Sequence, residues 1–541
     1  MRRPLPLIVL LVGLAVPATV SRPLSAQVRE APVRYDEDHL SAAFHAERRN
    51  AVMERIAQDG LAVFFGAPVR NRSNDVSFEY RQQSDLFYLT GSSEPGSVLV
   101  LAPGGITVDG RTVRELLFVP PREPSQEVWL GRRFGTERAV EQLGLEMAAE
   151  STRFEEVMAP LLSGDAHRVF HLPLPDGVAS GSDLEAQLAL FERHVKPAEI
   201  PEAGLMGFML HGVLASPSPQ LFERLKLLAE RGFEPSAASD PTVRSLAEAF
   251  VEADGYEDWT ARHADLTQGH PDGTTLRAIL DDLRTIKTDE ELDLLRRAIA
   301  ITVEAHRDVM RQVEPGWAEY EIEALIEYNF KRRGAEYPAF PSIVGSGENS
   351  VILHYETNRR TTEPGDLVVM DVGAEYHGYA ADVTRTVPVS GRFTEEQRAV
   401  YDVVHRAQEA GIRATRAGSP YIAPHRAAEQ VLAQGMAELG LIRDETDLNG
   451  LRRFFMHATS HYLGLDVHDV GGGGPLEPGT VITVEPGIYI PAADDIDPRW
   501  WNIGIRIEDD ILVTEDGPVI LSSGAPRSSS EVEALMGGGT R

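Results

Sequence analysis

The 541-residue chain contains no cysteine. That absence excludes disulfide staples, thiolate metal sites and lipid attachment at an N-terminal cysteine. An exported chain of this size without disulfides must rest on its cores and on bound ions. Positive charge is also scarce. Against 83 Asp and Glu stand 52 Lys and Arg, a formal charge of −31, which argues against nucleic acid as a partner. The acidity reads chiefly as surface solubility, with attraction of cationic substrates as a minor addition. Long apolar runs are missing too. The stretch from Leu5 to Val16, behind Arg2 and Arg3, is too short to cross a bilayer core of roughly 30 Å as a helix. It reads as a secretory signal, with Leu24-Ser25-Ala26 ahead of a cut before Gln27 and Ala18 as the alternative. A mature protein from residue 27 is expected to be periplasmic or secreted and to hold no stable membrane span. Its charge would be −34, because residues 1–26 contain three arginines and no acids.

What is present exceeds one core, and 42% apolar composition is ordinary for globular protein. Residues 27–162 read as an α/β domain: a helix from about Ala42 to Gln58, stopped by Gly60, then apolar runs at Leu61 to Phe65, Val98 to Leu101 and Glu115 to Val119. Residues 163–275 form an interdomain region with loop punctuation, at Ala179 to Asp183 and Ser216 to Pro219, and helical pieces such as Leu221 to Arg231. It shows no chemical motif. A new regime covers 276–541. Thr288 and Glu291 form a capping box ahead of Leu292, Leu295 and Ile299, which share one helix face. That helix should stop by Pro315-Gly316. A second, about Tyr320 to Arg333, ends on Lys331, Arg332, Arg333 and then Gly334. Thr394 and Gln397 cap a third. From Gly365 on, runs of valine and isoleucine signal a sheet without βαβ alternation, so this domain is α+β.

An internal repeat places the acids. Glu363-Pro364-Gly365 to Asp371-Val372-Gly373 aligns without a gap on Glu477-Pro478-Gly479 to Glu485-Pro486-Gly487. Downstream, Gly378 precedes Asp382 by the same interval as Gly504 precedes Glu508. Each half thus supplies two acids on neighbouring strands. A tight turn at His377-Gly378 is expected to set Asp371 and Asp382 side by side on a hairpin, while the second copy carries a longer loop, Pro491 to Asn502. Burying one unpaired carboxylate costs several kcal/mol at least, and four together require cations. The segment Met456 to Asp469 adds His457, His461 and His468 to complete the shell. Oxygen ligands with one imidazole suit Mn²⁺ first, with Co²⁺, Zn²⁺ or Fe²⁺ as alternatives. The glycine runs Gly345-Ser346-Gly347 and Gly471 to Gly474 lack the setting of phosphate loops and read as plain loops.

The whole set resembles the creatinase/aminopeptidase P family of "pita-bread" metallopeptidases. The N-terminal half of the likeness lies in Tyr80 to Gly91 and Glu127 to Arg133. The C-terminal half lies in His354-Tyr355, Asp371 to Thr386, His457 to Asp469, Glu485 to Tyr489 and Gly504 to Asp509. The resemblance implies a pita-bread catalytic domain with a pseudo-twofold repeat, preceded by an aminopeptidase P N-terminal α/β domain. It implies two metal ions, bridged by Asp382 and Glu508, with Asp371 on one ion and His461 with Glu485 on the other. His354, His457 and His468 would surround the substrate, with His354 and His468 near the scissile carbonyl, while Tyr489 and Arg506 support the site and its proline pocket. The long 163–275 region departs from compact members of the family.

Such a cage activates water for hydrolysis, with Glu485 as candidate base. The expected activity is release of the N-terminal residue from peptides with proline second, by an enzyme expected to be a homo-oligomer. A proline dipeptidase, sharing the five ligands, is the first alternative. A peptide-binding protein of the same fold without turnover is the second.

Overall fold

The computed structural model describes residues 36–163, 167–194, 241–266 and 273–537, with a few positions between 219 and 227. The signal segment 1–26 and most of the helical piece Leu221 to Arg231 lie outside the described residues. Chain contacts divide at Asp38, and the elements that follow belong to the unit His39–Arg541.

Helix α1 (Ala42–Arg55) begins where the Ser41 side chain accepts from Phe44 N. It stops three residues before Gln58 because Ile56 turns extended and buries its side chain, and Gly60 N closes a turn on Ala57 O. The five strands β1 (Gly60–Phe65), β2 (Val98–Val108), β3 (Arg111–Val119), β4 (Ala148–Glu150) and β5 (Arg168–His171) form one sheet in the order β4-β3-β2-β1-β5. β1 is antiparallel to β2 and parallel to β5. Every residue of β1 is buried, as a strand covered on both faces must be. Helix α2 (Ser84–Thr90) ends on Gly91 in the left-handed region, and α3 (Gly273–Thr285) leads into the second half.

There α4 (Asp289–Gln312) starts on the full Thr288/Glu291 capping box and buries Leu292, Leu295 and Ile299. α5 (Glu319–Arg332) carries Lys331 and Arg332 in its last turn, with Gly334 beyond at φ 98°. α6 (Glu395–Ala414) starts on the Thr394/Gln397 box and packs on α7 (Ala423–Glu438). The strands that build the repeat, with one neighbour, are β6 (Ile343–Ser346), β7 (Leu367–Val372), β8 (Ala374–Tyr376), β9 (Tyr379–Ala380), β10 (Val383–Pro388), β11 (Val481–Val484), β12 (Gly487–Ile490), β13 (Ile503–Arg506) and β14 (Asp509–Thr514).

The repeat is a repeat of pairing. β7 pairs antiparallel with β10 as β11 does with β14, and β8 pairs with β9 as β12 does with β13. The first connection is a two-residue turn in which His377 (φ 47°) and Gly378 (φ 85°) are both left-handed, the pattern that matches strand twist in a tight hairpin. The second is long and holds a single helical turn, Pro498–Trp500. The glycines matched by spacing serve different needs. Gly378 makes the turn, whereas Gly504 lies inside β13, where a Cβ would fall 2.0 Å from Ser350 O.

Candidate metal centre

Asp371 pairs across the ladder with Thr384, and Asp382 lies two residues before Thr384. The two acids are therefore diagonal neighbours on one face rather than directly opposite each other. Glu485 leaves β11 with its N–H donating to Thr459 O at 2.8 Å. Glu508 N donates to Thr384 O at 3.1 Å, and Thr384 Oγ1 donates to Glu508 Oε2 at 2.7 Å. Arg506 N donates to Thr386 Oγ1 at 3.1 Å, so the two copies are tied along β10 and β13. Backbone bonds and threonine hydroxyls together thus bring acids more than a hundred residues apart to one place.

His461 is docked on β11 by its own N–H to Thr483 Oγ1 (3.1 Å) and by Thr483 N to its carbonyl (2.9 Å). Its Nδ1 lies 3.0 Å from Tyr462 O, so Nδ1 carries the proton and Nε2 is left with a lone pair. Nε2 points at Asp382 Oδ2 (3.3 Å), Glu485 Oε1 (3.6 Å) and Glu508 Oε1 (4.0 Å). Asp382, His461 and Glu508 each offer a ligand atom within 4.8 Å of the others, a spacing that one ion can bridge.

Burial holds the carboxyls of Asp382 and Glu485 well above the usual range, with the charge of Glu508 adding to it, and pushes Glu508 up to about 8, with Asp371 adding. Burial also holds His461 and His457 down to about 4, so both imidazoles are neutral at pH 7. Among the described residues, the ion-pair partners of these carboxylates are Arg506, at 2.6 Å from Asp371 Oδ2, and those two neutral histidines. One guanidinium cannot compensate four acids, of which Asp371, Asp382 and Glu508 are buried and Glu485 is largely covered. Asp371 Oδ1, Asp382 Oδ1 and Asp510 Oδ1 are buried without a hydrogen-bond partner among the described residues. Buried acceptors of this kind are costly. The donor set, oxygen-rich with one neutral imidazole, fits divalent cations.

Beside the acids runs a chain of hydrogen bonds. His457 Nδ1 donates to Ala458 O (2.8 Å), so its Nε2 accepts from Tyr489 OH (2.8 Å). Tyr489 OH in turn accepts from Arg506 Nη1 (2.9 Å), and Arg506 Nη2 reaches both Asp371 Oδ2 and Leu353 O. The His468 ring stacks edge-on against His461 at 4.3 Å and is exposed. His354 is exposed as well, next to the Leu353 carbonyl that Arg506 holds. The structure therefore gathers Asp371, Asp382, His457, His461, His468, Glu485, Tyr489, Arg506 and Glu508, and brings His354 to the rim. Sequence reasoning missed Thr384, Thr483 and Asp510. Asp510 Oδ2 accepts from Asp382 N at 3.3 Å, and the run Glu508-Asp509-Asp510 entering a buried strand was its signal.

Residues 293–515 match Metallopeptidase family M24, and residues 45–170 match the aminopeptidase P N-terminal domain. The Xaa-Pro aminopeptidase of Escherichia coli (strain K12) is 35% identical over 498 residues, 90% of this chain and 96% of that protein. This chain belongs to metallopeptidase family M24. The Xaa-Pro aminopeptidase of Haemophilus influenzae is 32% identical, over 91% of this chain and 96% of its own. Among solved structures, Pseudomonas aeruginosa aminopeptidase PepP superposes with a TM-score of 0.72 at 32% identity, covering 93% of this chain and 99% of that one. E. coli aminopeptidase P with the inhibitor Pro-Leu gives 0.72 at 33% identity, covering 92% and 98%. The α+β pita-bread catalytic domain behind an α/β N-terminal domain is the architecture of this M24 chain. Membership also makes it a metallopeptidase dependent on divalent ions.

Proposed function

We propose that this M24 protein is an Xaa-Pro aminopeptidase that releases the N-terminal residue from peptides with proline in second position. Two divalent ions would be held by Asp371, Asp382, His461, Glu485 and Glu508. The observation that carries this reading is the convergence of three carboxylates, Asp382, Glu485 and Glu508, on the Nε2 lone pair of His461, with buried oxygens of Asp371 and Asp382 left unmet. Bound there, the ions supply Lewis acidity and lower the pKa of a water. Glu485 is placed to take that water's proton at a carboxylate oxygen. It can return the proton to the proline nitrogen as the peptide bond breaks, since that nitrogen carries no hydrogen of its own in the substrate. His354 and His468, on the exposed rim, are assigned to the carbonyl oxygen that gains charge. His457 is fixed by Tyr489 and Arg506, which leaves it as a wall for the bound peptide.

Two things support the substrate class: relatives named Xaa-Pro aminopeptidase along nearly their whole length, and a neighbour that binds Pro-Leu. Mn²⁺ is the ion we assign, from the oxygen-rich donor set, with Co²⁺, Zn²⁺ and Fe²⁺ to be compared. We place the mature enzyme outside the cytoplasm on the strength of Arg2, Arg3 and the apolar stretch after them, and we take it to work as a homo-oligomer. The test is to strip the purified protein of metal, restore Mn²⁺, and offer Xaa-Pro dipeptides beside Xaa-Pro-Yaa peptides. Free Xaa and Pro-Yaa are expected from the longer set. Cleavage of dipeptides alone would make it a proline dipeptidase instead.

A further inference from the structure

The loop between His461 and His468 leaves one side chain facing the acids and returns to place the other against it. Its backbone is closed by Asp469 N to Tyr462 O (2.9 Å) and pinned to the first half of the repeat by Ala380 N to Gly464 O (2.8 Å). Its two acids, Asp466 and Asp469, turn the other way. Arg284 of α3, with only 2% of its side chain exposed, donates Nη2 to Asp466 Oδ2 (2.7 Å) and Asp469 Oδ1 (2.5 Å). Its other terminal nitrogen, Nη1, donates to Asp85 Oδ1 of α2 (2.7 Å). Asp85 is held in turn by both terminal nitrogens of Arg277, and Lys287 Nζ closes on Asp469 Oδ2 at 3.1 Å. Ser84 Oγ reaches Asp466 Oδ1 (2.7 Å), and Arg81 Nη2 reaches Leu465 O (2.5 Å).

This cluster is the opposite of the metal cage. Its centre, Asp85, Asp469, Arg284 and Lys287, is also buried, but here the chain supplies the cations for its acids. A planar guanidinium with a fixed fork sets both the distance and the angle between its acceptors, which a lysine cannot do. Three segments remote in sequence meet on that one side chain: α2 of the N-terminal half, α3, and the histidine loop. Networks of this kind contribute little net stability compared with apolar packing, so geometric specification is the role left for it.

We propose that Arg284 is a positioning residue. Acting through Asp466 and Asp469, it sets the orientation of His461 and His468, and through Asp85 it makes that orientation depend on the N-terminal half. The proposal rests on the reading of the site as a metallopeptidase centre. Its test is Arg284→Lys, which keeps the charge and loses the fork, beside Asp85→Asn, which weakens the tie of α2 to Arg284 and Arg277 and leaves Asp466 and Asp469 in place. For Arg284→Lys the expected result is a tenfold or greater fall in kcat on an Xaa-Pro-Yaa peptide, with KM changed less than twofold. Calorimetric titration of the stripped protein with Mn²⁺ should show affinity weakened by a similar factor, while the thermal midpoint of the stripped protein stays near that of the parent. Asp85→Asn should move kcat and Mn²⁺ affinity in the same direction by less. Parental kcat and Mn²⁺ affinity in Arg284→Lys would overturn the proposal. So would losses in both variants that merely follow a lowered thermal midpoint, since that is what a structural role predicts. The Mn²⁺ titration reads the positioning claim even if the parent protein fails to cleave Xaa-Pro peptides, so the two failures are told apart.

Discussion

At the scale of single residues, the site is organised by which nitrogen of each histidine carries its proton. A backbone carbonyl takes Nδ1–H of His461 and leaves Nε2 for an ion; the same device at His457 leaves Nε2 for Tyr489 instead. His461→Ala should therefore lower bound Mn²⁺ by about one ion per chain and cut kcat at least a hundredfold, checked by elemental analysis beside kinetics. Unchanged metal content would remove His461 from the ligand set. Tyr489→Phe deletes the hydroxyl shared by Arg506 and His457, a loss of about 1.5 kcal/mol or roughly tenfold in kcat/KM, with metal content retained. The acids of the repeat were legible in the sequence because an ionisable group in an apolar strand contradicts its surroundings, and His457, His461 and His468 because they cluster in one short segment. Thr384 and Thr483 were not, because threonine is an ordinary strand residue and only the fold shows its hydroxyl aimed at a carboxylate.

At the scale of elements, local chemistry was readable wherever it is self-contained. Both Thr-x-x-Glu/Gln boxes form as the sequence requires, since all the atoms involved lie within one helical turn. The hairpin that separates Asp371 from Asp382 is likewise written in His377-Gly378. Gly378→Ala should cost about 1–2 kcal/mol from the left-handed backbone alone. A further cost comes from the Phe87 ring, 2.8 Å from the added Cβ. In thermal melts, a lowered midpoint is expected together with weakened Mn²⁺ binding, because the turn sets the register of both acids; a midpoint equal to the parent's would contradict the strained turn. What stayed hidden is pairing between distant elements. Nothing local in Arg168–His171 says that it completes the sheet beside β1, and nothing local in α3 says that Arg284 meets Asp85 and Asp469.

At the scale of the whole molecule, the protein carries a buried acidic centre whose folding cost depends on what neutralises it, and this gives the stability a pH dependence of known sign. His306, His457 and His461 are held down to about 4, while an unfolded histidine titrates near 6.5. These groups bind more protons unfolded, so between about pH 4 and 6.5 they make stability rise with pH. Above 6.5 they are neutral in both states and drop out. Glu508 is pushed up to about 8, and Asp382, Glu485 and Asp510 stand well above their ordinary values. These bind more protons folded, so in metal-stripped protein stability falls from pH 6.5 to 8, by up to about 1.4 kcal/mol per pH unit for each acid still protonated. Divalent ions compete with those same protons, and their affinity grows as the protons leave. The thermal midpoint of stripped protein should therefore drop between pH 6.5 and 8.0, while that of Mn²⁺-loaded protein holds or rises, so the gap between the two widens. A stripped protein whose midpoint stays level across that window would mean that Asp382, Glu485, Glu508 and Asp510 ionise without help, and that their burial does not demand metal.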